Sequence, residues 1–224
     1  GTIQSIADKY NLKVIIDGAQ SFGSTYKNIT DSNLGDISIT SFFPSKPLGC
    51  YGDGGAVFTN NDEYAKQIKM LRVHGQIKRY HHKYIGIGGR LDTIQAAILL
   101  AKLPHFSEEL LDRKKVANHY SDALSTIIKT PIIKSDRTSA WAQYTVKLNN
   151  RDTVQSKLKK KDIPTSIFYP IPLHLQKCFQ YLSYNQNDFL ISERASREVI
   201  SIPMNPFLNN DQLNFIISNI KKNI

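Results

Sequence analysis

The sequence predicts an α/β fold, because short apolar segments alternate with amphipathic ones along the first part of the chain. Three apolar segments, at 13–17, 36–43 and 54–59, have the length and composition of strands. A helical pattern precedes the first strand, so we expect the chain to enter in the middle of a βαβ unit. We expect two domains, one at residues 1–104 and a small C-terminal α/β domain at 105–224.

Spacing and capping residues support the individual elements. Residues 18–35 separate the first two strands, which is enough chain for the crossover that a parallel pair requires. Asn60 or Asn61 fits an N-cap, with two acidic residues behind it to complement the helix dipole. Residues 76–90 are polar, basic and glycine-containing, which predicts a loop. The predicted helices cover 2–10, 62–75, 91–103, 107–125, 151–161, 192–200 and 210–222, and the later strands cover 140–148 and 165–169.

The composition argues against several classes of protein. Of 224 residues, 41% are hydrophobic and 21% charged, which is typical of globular proteins. No apolar run approaches the roughly 20 residues of a membrane helix, and no secretory signal is visible, so we expect no membrane partner. Lys and Arg total 29 against 19 acidic residues, a net charge of +10. No helix-turn-helix, finger or RNA-binding aromatic motif accompanies that charge, so we expect no nucleic-acid partner.

The two cysteines bear on compartment and metal binding. Cys50 and Cys178 lie far apart, and neither has a CxxC or CxxH neighbour. This spacing argues against a disulfide scaffold and against a cysteine metal site. We therefore expect no metal and a reducing, cytoplasmic location. The chain starts at Gly1 rather than at Met, which indicates a processed, tagged or truncated start.

Three features of the sequence suggest chemistry, each with a plainer alternative. Asp17 ends an apolar strand, where a carboxylate can hold a cationic ring nitrogen or simply cap a turn. Lys46 lies between two prolines, where it is either an amine nucleophile held on a rigid turn or a solvated surface lysine. The glycines of Gly52–Gly55 let backbone approach a ligand closely, or form a tight turn.

Taken together, these motifs resemble the DegT/StrS family of pyridoxal-phosphate sugar aminotransferases. The resemblance rests on Asp17-Gly-Ala-Gln20, Ser41-Phe42, Lys46, Gly52-Asp-Gly-Gly55 and Arg90-Leu-Asp-Thr-Ile-Gln-Ala-Ala97, in that order. It implies part of an aspartate-aminotransferase-like (fold type I) large domain with a mostly parallel sheet, followed by the small domain. Within the family, the sequence is most similar to enzymes that aminate the 3-keto group of a UDP-N-acetyl-hexuronic acid.

The resemblance implies roles on the cofactor side of the site. Lys46 would form a Schiff base with pyridoxal 5'-phosphate and later shuttle a proton. Asp17 would pair with the pyridine nitrogen and keep it protonated, so that the ring acts as an electron sink. Gln20 would lie against the ring or its 3-hydroxyl, and Ser41 would hydrogen-bond the phosphate.

The resemblance also implies roles on the substrate side. Arg90 would meet an acidic group of the substrate, because its planar guanidinium offers two parallel donors to a carboxylate. Tyr169 and His174, beside Pro170-Ile-Pro172, would form the small-domain wall of the site, with loop packing as the plainer alternative.

The predicted loop at 76–90 is implied to reach across a homodimer interface into the partner's active site. His74, Tyr80 and His81 would then line the sugar or nucleotide pocket, although exposed loop histidines are more often solvated. Where the family usually has an Asn that contacts the neighbouring cofactor's phosphate, this chain has Gly88. Losing such a charge-assisted contact costs about 1.5–3 kcal/mol unless backbone replaces it.

The resulting hypothesis is transamination of a keto nucleotide-sugar, with glutamate as the amino donor, in surface-polysaccharide sugar biosynthesis. Family members carry a long N-terminal stretch before the segment that begins here, including a helix N-terminus that grips the phosphate. The alternative is therefore a catalytically incompetent fragment or a subunit of a split protein. Without that stretch we also expect the sheet to expose an apolar edge, an aggregation hazard unless another chain covers it.

Overall fold

The computed structural model describes residues 1–224. They form two compact units, the first comprising Gly1–Leu110 with Ile133–Ala142 and the second Leu111–Ile132 with Gln143–Ile224. The helices are α1 (Thr2–Lys9), α2 (Asp62–Leu71), α3 (Thr93–Lys102), α4 (Phe106–Leu124), α5 (Arg151–Lys159), α6 (Leu190–Glu198) and α7 (Asn210–Lys221). None of these helices combines the length and the apolar character that crossing a membrane requires.

The strands are β1 (Ile15–Asp17), β2 (Thr25–Tyr26), β3 (Ile29–Thr30), β4 (Ile37–Ser41), β5 (Gly55–Phe58), β6 (Gln76–Lys78), β7 (His81–His82), β8 (Tyr144–Lys147) and β9 (Val199–Ile202). The main sheet of the first unit has the order β1-β4-β5. β1 and β4 are parallel, as the spacing between them allowed, whereas β5 returns antiparallel to β4. Residues 42–54 join β4 to β5 without a helix, so this part of the sheet is mixed.

One face of this sheet carries the core of the first unit. Phe42, Leu48, Cys50, Leu99 and Phe106 form a buried cluster. An additional aromatic ring, Phe22, stacks on the ring of Phe106 at 5.5 Å between centroids and meets Phe42 edge-on at 6.1 Å. Aromatic pairs of this geometry contribute about 0.5–1.5 kcal/mol beyond the area they bury.

The opposite face of the sheet is apolar and exposed. The register pairs Asp17 with Ile39 and Ile39 with Val57, so these side chains lie on one face together with Ile15. Ile15 is 64% exposed, Val57 47% and Ile39 37%. We call the surface made by these three aliphatic side chains the open face. The exposed apolar surface is thus a face of the sheet, whereas the sequence analysis expected an exposed apolar edge.

The expectation that residues 76–90 are all loop is wrong in its first half. β6 and β7 form an antiparallel hairpin there, with Arg79 and Tyr80 in the turn. Tyr80 has a φ of 65°, a conformation for which glycine or asparagine is the usual signal. Because the turn lacks both residues, the sequence gives no hairpin signature at this point.

Two predictions in the second unit also need correction. The helix predicted at 192–200 ends at Glu198, and Val199–Ile202 pairs as β9 with β8, because this β-branched run favours extended backbone. The strand predicted at 165–169 is absent as a strand, since only Ser166 forms an isolated bridge, to Ser201. The composition of the segment favours extended structure, but no strand pairs with it beyond this bridge.

The core of the second unit lies between β8, β9 and the helices around them. Fully buried side chains from strands and helices meet there: Tyr120, Leu124, Tyr144, Val146, Val154, Leu158, Ile200 and Ile220. The Tyr120 hydroxyl donates to the Pro203 carbonyl oxygen at 2.9 Å. Burial, and in smaller part the nearby Tyr144, raises the pKa of Tyr120, so the phenol stays protonated and the hydrogen bond persists.

Candidate active site

The parallel pair of strands brings two of the candidate residues to one edge of the sheet. Asp17 is the last residue of β1 and Ser41 the last residue of β4. Because β1 and β4 run parallel, both strands end at the same edge, where β5 also begins at Gly55. We call this the carboxyl edge. Ligands of open α/β sheets bind outside such an edge.

Asp17 uses one carboxylate oxygen and leaves the other available. Its Oδ1 accepts a hydrogen bond from the Ala19 amide at 3.0 Å, and its Oδ2 accepts none. The side chain is exposed on the same face as Ile39. Asp17 therefore caps the turn after β1 and still presents an acceptor for a cationic N–H donor. Gln20, on the same turn, is exposed and has no hydrogen-bond partner.

A buried carboxylate that the sequence analysis missed holds this turn in place. Asp31 accepts hydrogen bonds from the Ser21 hydroxyl at 2.8 Å and the Gly23 amide at 3.2 Å. Burial raises the pKa of the Asp31 carboxyl, because the charged form is poorly solvated there. A Cβ at Gly18 would come within 2.8 Å of Asp31 Oδ2, so only glycine fits this approach. No local motif marks Asp31, since its partners are ten and eight residues away.

Lys46 lies on the segment that leaves the carboxyl edge, which we call the lysine loop (residues 42–51). The backbone folds back at once, because the Ser41 Oγ accepts from the Phe43 amide at 3.2 Å and the Lys46 amide donates to the Phe43 carbonyl at 2.8 Å. The Lys46 side chain is half-buried, yet its amine makes no hydrogen bond or ion pair. The amine is thus unengaged, on a segment that begins at the carboxyl edge.

The far end of the lysine loop is anchored in the core. Cys50 is 1% exposed, and its amide donates to the Phe42 carbonyl at 2.8 Å. Its thiol lies 3.0 Å from the same carbonyl oxygen and 3.1 Å from that of Gly52. A Cβ at Gly54 would come within 2.9 Å of Leu91 Cδ1. At Gly55 a Cβ would come within 2.7 Å of the Thr40 carbonyl oxygen, so close packing within the protein requires glycine at that position.

His74 and Gly88 lie together at the base of the β6–β7 hairpin. The His74 amide donates to the Ile87 carbonyl at 3.0 Å, and a Cβ at Gly88 would come within 3.2 Å of His74 Cε1. The His74 imidazole thus occupies space that a larger side chain at position 88 would need. A side chain at position 88 would therefore require the His74 ring to shift by a few tenths of an ångström.

The other candidates of this region are exposed. Arg79 donates to the Tyr80 hydroxyl at 3.1 Å, and its guanidinium lies 5.0 Å from the centre of the Tyr80 ring. His81 and Arg90 are exposed, and Arg90 has no hydrogen-bond or ion-pair partner. No hydrogen bond or ion pair joins these side chains to Asp17, Ser41 or Lys46 within the chain.

Tyr169 and His174 belong to the second unit. Tyr169 is 66% exposed and lines a cavity of about 440 Å³ together with Phe168 and Leu173. His174 is 9% exposed, and its Nε2 donates to Glu193 Oε1 at 3.1 Å. The polar edge of His174 is therefore engaged inside the unit, in agreement with the packing alternative, whereas Tyr169 remains accessible.

Glu193, which the sequence analysis also missed, gathers three donors on one oxygen. Besides His174, its Oε1 accepts from the Asn187 amide at 2.8 Å and the Phe189 amide at 3.4 Å. Burial alone would raise the pKa of the Glu193 carboxyl, but these donors outweigh it and hold that pKa below its usual range. The carboxylate thereby fixes the chain that leads into α6.

Comparison with protein families decides how these features are interpreted. The model of the DegT/DnrJ/EryC1/StrS aminotransferase family matches residues 1–221. The chain belongs to this family. The resemblance inferred from the motifs is confirmed, and the match extends through both units.

Relatives within the family act on activated sugars. The chain is 47% identical over 215 residues to the UDP-2-acetamido-2-deoxy-3-oxo-D-glucuronate aminotransferase of Pseudomonas aeruginosa, covering 96% of this chain and 59% of that relative. It is 36% identical over 222 residues to the dTDP-3-amino-3,6-dideoxy-alpha-D-galactopyranose transaminase of Aneurinibacillus thermoaerophilus, covering 99% and 61%. The chain therefore spans about 60% of the length of the relatives it matches.

Solved structures confirm the fold. The crystal structure of a DegT DnrJ EryC1 StrS aminotransferase from Brucella abortus matches with a TM-score of 0.93 at 40% identity, covering 98% of this chain and 59% of that one. That of S. venezuelae DesV in complex with a ketimine intermediate matches with a TM-score of 0.94 at 32% identity, covering 98% and 60%. The predicted aminotransferase fold of both α/β parts is thus correct.

Proposed function

We propose that this chain carries the lysine side of a pyridoxal-phosphate-dependent aminotransferase acting on a keto nucleotide-sugar. The observation that supports this most strongly is the Lys46 amine, which is half-buried and without any partner. A surface lysine normally keeps its ammonium in water or in an ion pair. An amine reserved for a covalent bond to an aldehyde must instead be free of such partners.

The residues at the carboxyl edge fit the chemistry of pyridoxal phosphate. When bound, this cofactor supplies an electron sink for the substrate carbon that loses its proton. Asp17 would accept from the protonated ring nitrogen with its available Oδ2, and Gln20 would lie against the ring. The Ser41 oxygen already accepts from the Phe43 amide, so its hydroxyl proton is left to donate to a phosphate. Lys46 Nζ would hold the cofactor covalently and move the proton at the substrate carbon.

On the substrate side, we propose a UDP-linked 3-keto hexuronate. The 47% identity to the Pseudomonas aeruginosa aminotransferase supports this choice. The unpaired guanidinium of Arg90 suits a sugar carboxylate, and the net charge of +10 suits a substrate that bears a diphosphate. We further propose that the amino donor is glutamate, that the protein is cytoplasmic and that it acts in surface-polysaccharide sugar synthesis.

We propose a homodimer with shared active sites. The β6–β7 hairpin places Tyr80 at an exposed turn, 75% accessible, where it is available to a neighbouring chain. His74, with Gly88 beneath it, would approach the partner's cofactor, and the exposed Tyr169 would contact the sugar. His174 would position this wall through Glu193.

Covalent trapping tests the proposal. After incubation with pyridoxal phosphate and reduction with sodium borohydride, we expect peptide mass spectrometry to find the phosphopyridoxyl group on Lys46 at stoichiometric yield. Lys46→Arg should abolish this label, whereas Lys66→Arg, on the exposed surface of α2, should leave it unchanged. Label spread over exposed lysines and unaltered in Lys46→Arg would overturn the proposal. It would support the alternative, a fragment or split-protein subunit that does not hold the cofactor.

A further inference from the structure

One face of α3 holds the lysine loop at two points. Lys102 Nζ donates to the Gly49 carbonyl oxygen at 2.6 Å, and Gln95 Oε1 accepts from the Tyr51 amide at 2.8 Å. The two side chains are seven residues apart, close to two helical turns, so they project from the same side of α3. Both contacts are made to backbone atoms and do not depend on the side chains of the loop.

The space between these two polar contacts is filled by apolar packing. Leu99 of α3 is 8% exposed and belongs to the same buried cluster as Leu48 and Cys50 of the loop. Lys102 and Gln95 are themselves half-buried. A hydrogen bond from a charged donor that is partly shielded from water is stronger than one at an open surface. α3 therefore holds the C-terminal half of the lysine loop by two hydrogen bonds, at Gly49 and at Tyr51, and by the apolar cluster that lies between them.

The loop needs such support because it has little of its own. Residues 42–54 contain neither helix nor strand, and the Lys46 side chain contributes no polar contact. Ordering a backbone residue costs about 1–2 kcal/mol of conformational entropy. The backbone bonds made by the Lys46 and Cys50 amides close the loop upon itself. Apart from the Phe43 amide, which donates to Ser41 of β4, its polar backbone is tied to another element by the contacts to α3.

We propose that Lys102 and Gln95 are positioning residues that fix the direction in which the lysine loop presents the Lys46 amine. Neither side chain touches Lys46, so they act through the backbone at Gly49 and Tyr51. The proposal rests on the proposed function of Lys46. Lys102 and Gln95 would raise the rate at which the Lys46 amine reacts with the aldehyde of the cofactor. A group that is already oriented loses less conformational entropy when it reacts.

The first test measures the loop without any cofactor. In Lys102→Met, we expect hydrogen exchange of the Cys50 amide to accelerate about tenfold or more and acetylation of Lys46 by acetic anhydride to rise about threefold, because an anchoring charge-assisted bond is lost. Lys102→Arg keeps a donor and should restore both values. Gln95→Leu should also accelerate the exchange and raise the acetylation, whereas Lys66→Met should leave both the exchange and the acetylation unchanged.

The second test measures the rate at which pyridoxal phosphate becomes attached to Lys46, trapped with borohydride at successive times. We expect Lys102→Met and Gln95→Leu to slow attachment about tenfold in chains whose circular dichroism is unchanged, with Lys102→Arg within about threefold of the wild type. A residue that only stabilises the fold would lower the melting temperature and leave this rate unaltered in the folded chain. If Lys102→Met does not fold, Gln95→Leu decides.

The outcomes separate the two proposals. Absence of label on Lys46 in the wild-type chain contradicts the proposed function, whereas the exchange and acetylation measurements involve no cofactor. Unchanged exchange and acetylation in both variants would overturn the positioning role. Faster exchange combined with an unchanged attachment rate would overturn it as well, because the contacts would then only stabilise the loop.

Discussion

At the scale of single residues, the two lysines of the candidate site differ in what their amines contact. Lys102 donates to a backbone carbonyl and has its position set by that bond, whereas Lys46 has no partner. The arrangement leaves the free amine on a loop whose backbone is anchored elsewhere. The same residue type thus provides an anchoring amine at Lys102 and an amine without a partner at Lys46, because the surroundings differ.

The sequence offers Lys46, Asp17 and Ser41 as candidate site residues because they stand in a recognisable order along the chain. It does not identify Asp31 or Glu193, whose partners are brought to them by the fold. Asp31 receives its donors from the turn after β1, and Glu193 receives its own from three separate positions. A buried carboxylate of this kind has no local pattern, because its role is set by backbone amides that every residue possesses.

The pH dependence of stability tests the role of Glu193. Its pKa is lowered in the folded chain. Its contribution to stability is therefore present above the unfolded value, near pH 4.3, and is lost as the pH falls through the folded value. We expect the wild type to melt above Glu193→Gln at pH 5 and this difference to shrink towards pH 3.

Thermal melts followed by circular dichroism at several pH values measure this difference. Glu108→Gln, an exposed glutamate in the first turn of α4 with no described partner, is the control; it loses only an interaction with the helix dipole, so its melting difference from the wild type at pH 5 should be smaller than that of Glu193→Gln. A difference between the wild type and Glu193→Gln that stays constant with pH would show that the carboxylate charge has no part in holding the chain before α6.

At the scale of elements, helices follow from local chemistry more directly than strands do. α2 starts where predicted, with the Asn61 side chain accepting from the Tyr64 amide at 3.0 Å. The β6–β7 hairpin and β9 depend instead on a partner strand, which local composition does not reveal. Val199–Ile202 continues a helical pattern in sequence, yet pairing with β8 takes it out of the helix.

The N-terminus of α7 tests how much a cap contributes. Asn209 Oδ1 accepts from the Gln212 amide at 2.9 Å, and Gln212 Oε1 accepts from the Asn209 amide at 3.1 Å, which is a capping box. We expect Asn209→Ala to lower the free energy of unfolding by about 1 kcal/mol, measured by urea denaturation with an unchanged m-value. Asn210→Ala, one residue further on, removes no cap and should cost less; an equal loss would contradict the assignment.

At the scale of the whole molecule, the two units are not simple halves of the sequence. Residues 133–142 return to the first unit, where the Thr25 amide donates to Thr138 Oγ1 at 2.8 Å, across 113 positions of sequence. The sequence predicts two α/β parts, because each part has its own series of apolar strand patterns and amphipathic helix patterns. It does not predict an exchange of chain between them, because such contacts follow from the path of the folded backbone.

The open face has a consequence for the molecule in solution. Ile15, Ile39 and Val57 present adjacent exposed aliphatic side chains, and apolar patches on sheets promote association. We expect Ile39→Thr, which keeps β-branching, to lower the fluorescence of bound anilinonaphthalene sulfonate and to reduce light scattering at high protein concentration. Ile132→Thr, at a site 84% exposed in the second unit, is the control. Equal dye binding by Ile39→Thr and the wild type would contradict the prediction.

The chain reaches the carboxyl edge at three positions that are close in sequence, Asp17, Ser41 and Gly55. Each return closes a short loop, and the entropy lost in closing a loop grows only slowly with its length. This corner of the molecule therefore has low contact order, and such structures form early and fast. We expect the carboxyl edge to form before the contact between Thr25 and Thr138, which are far apart in sequence. The loop that carries Lys46 would then be in place while the rest of the chain is still folding.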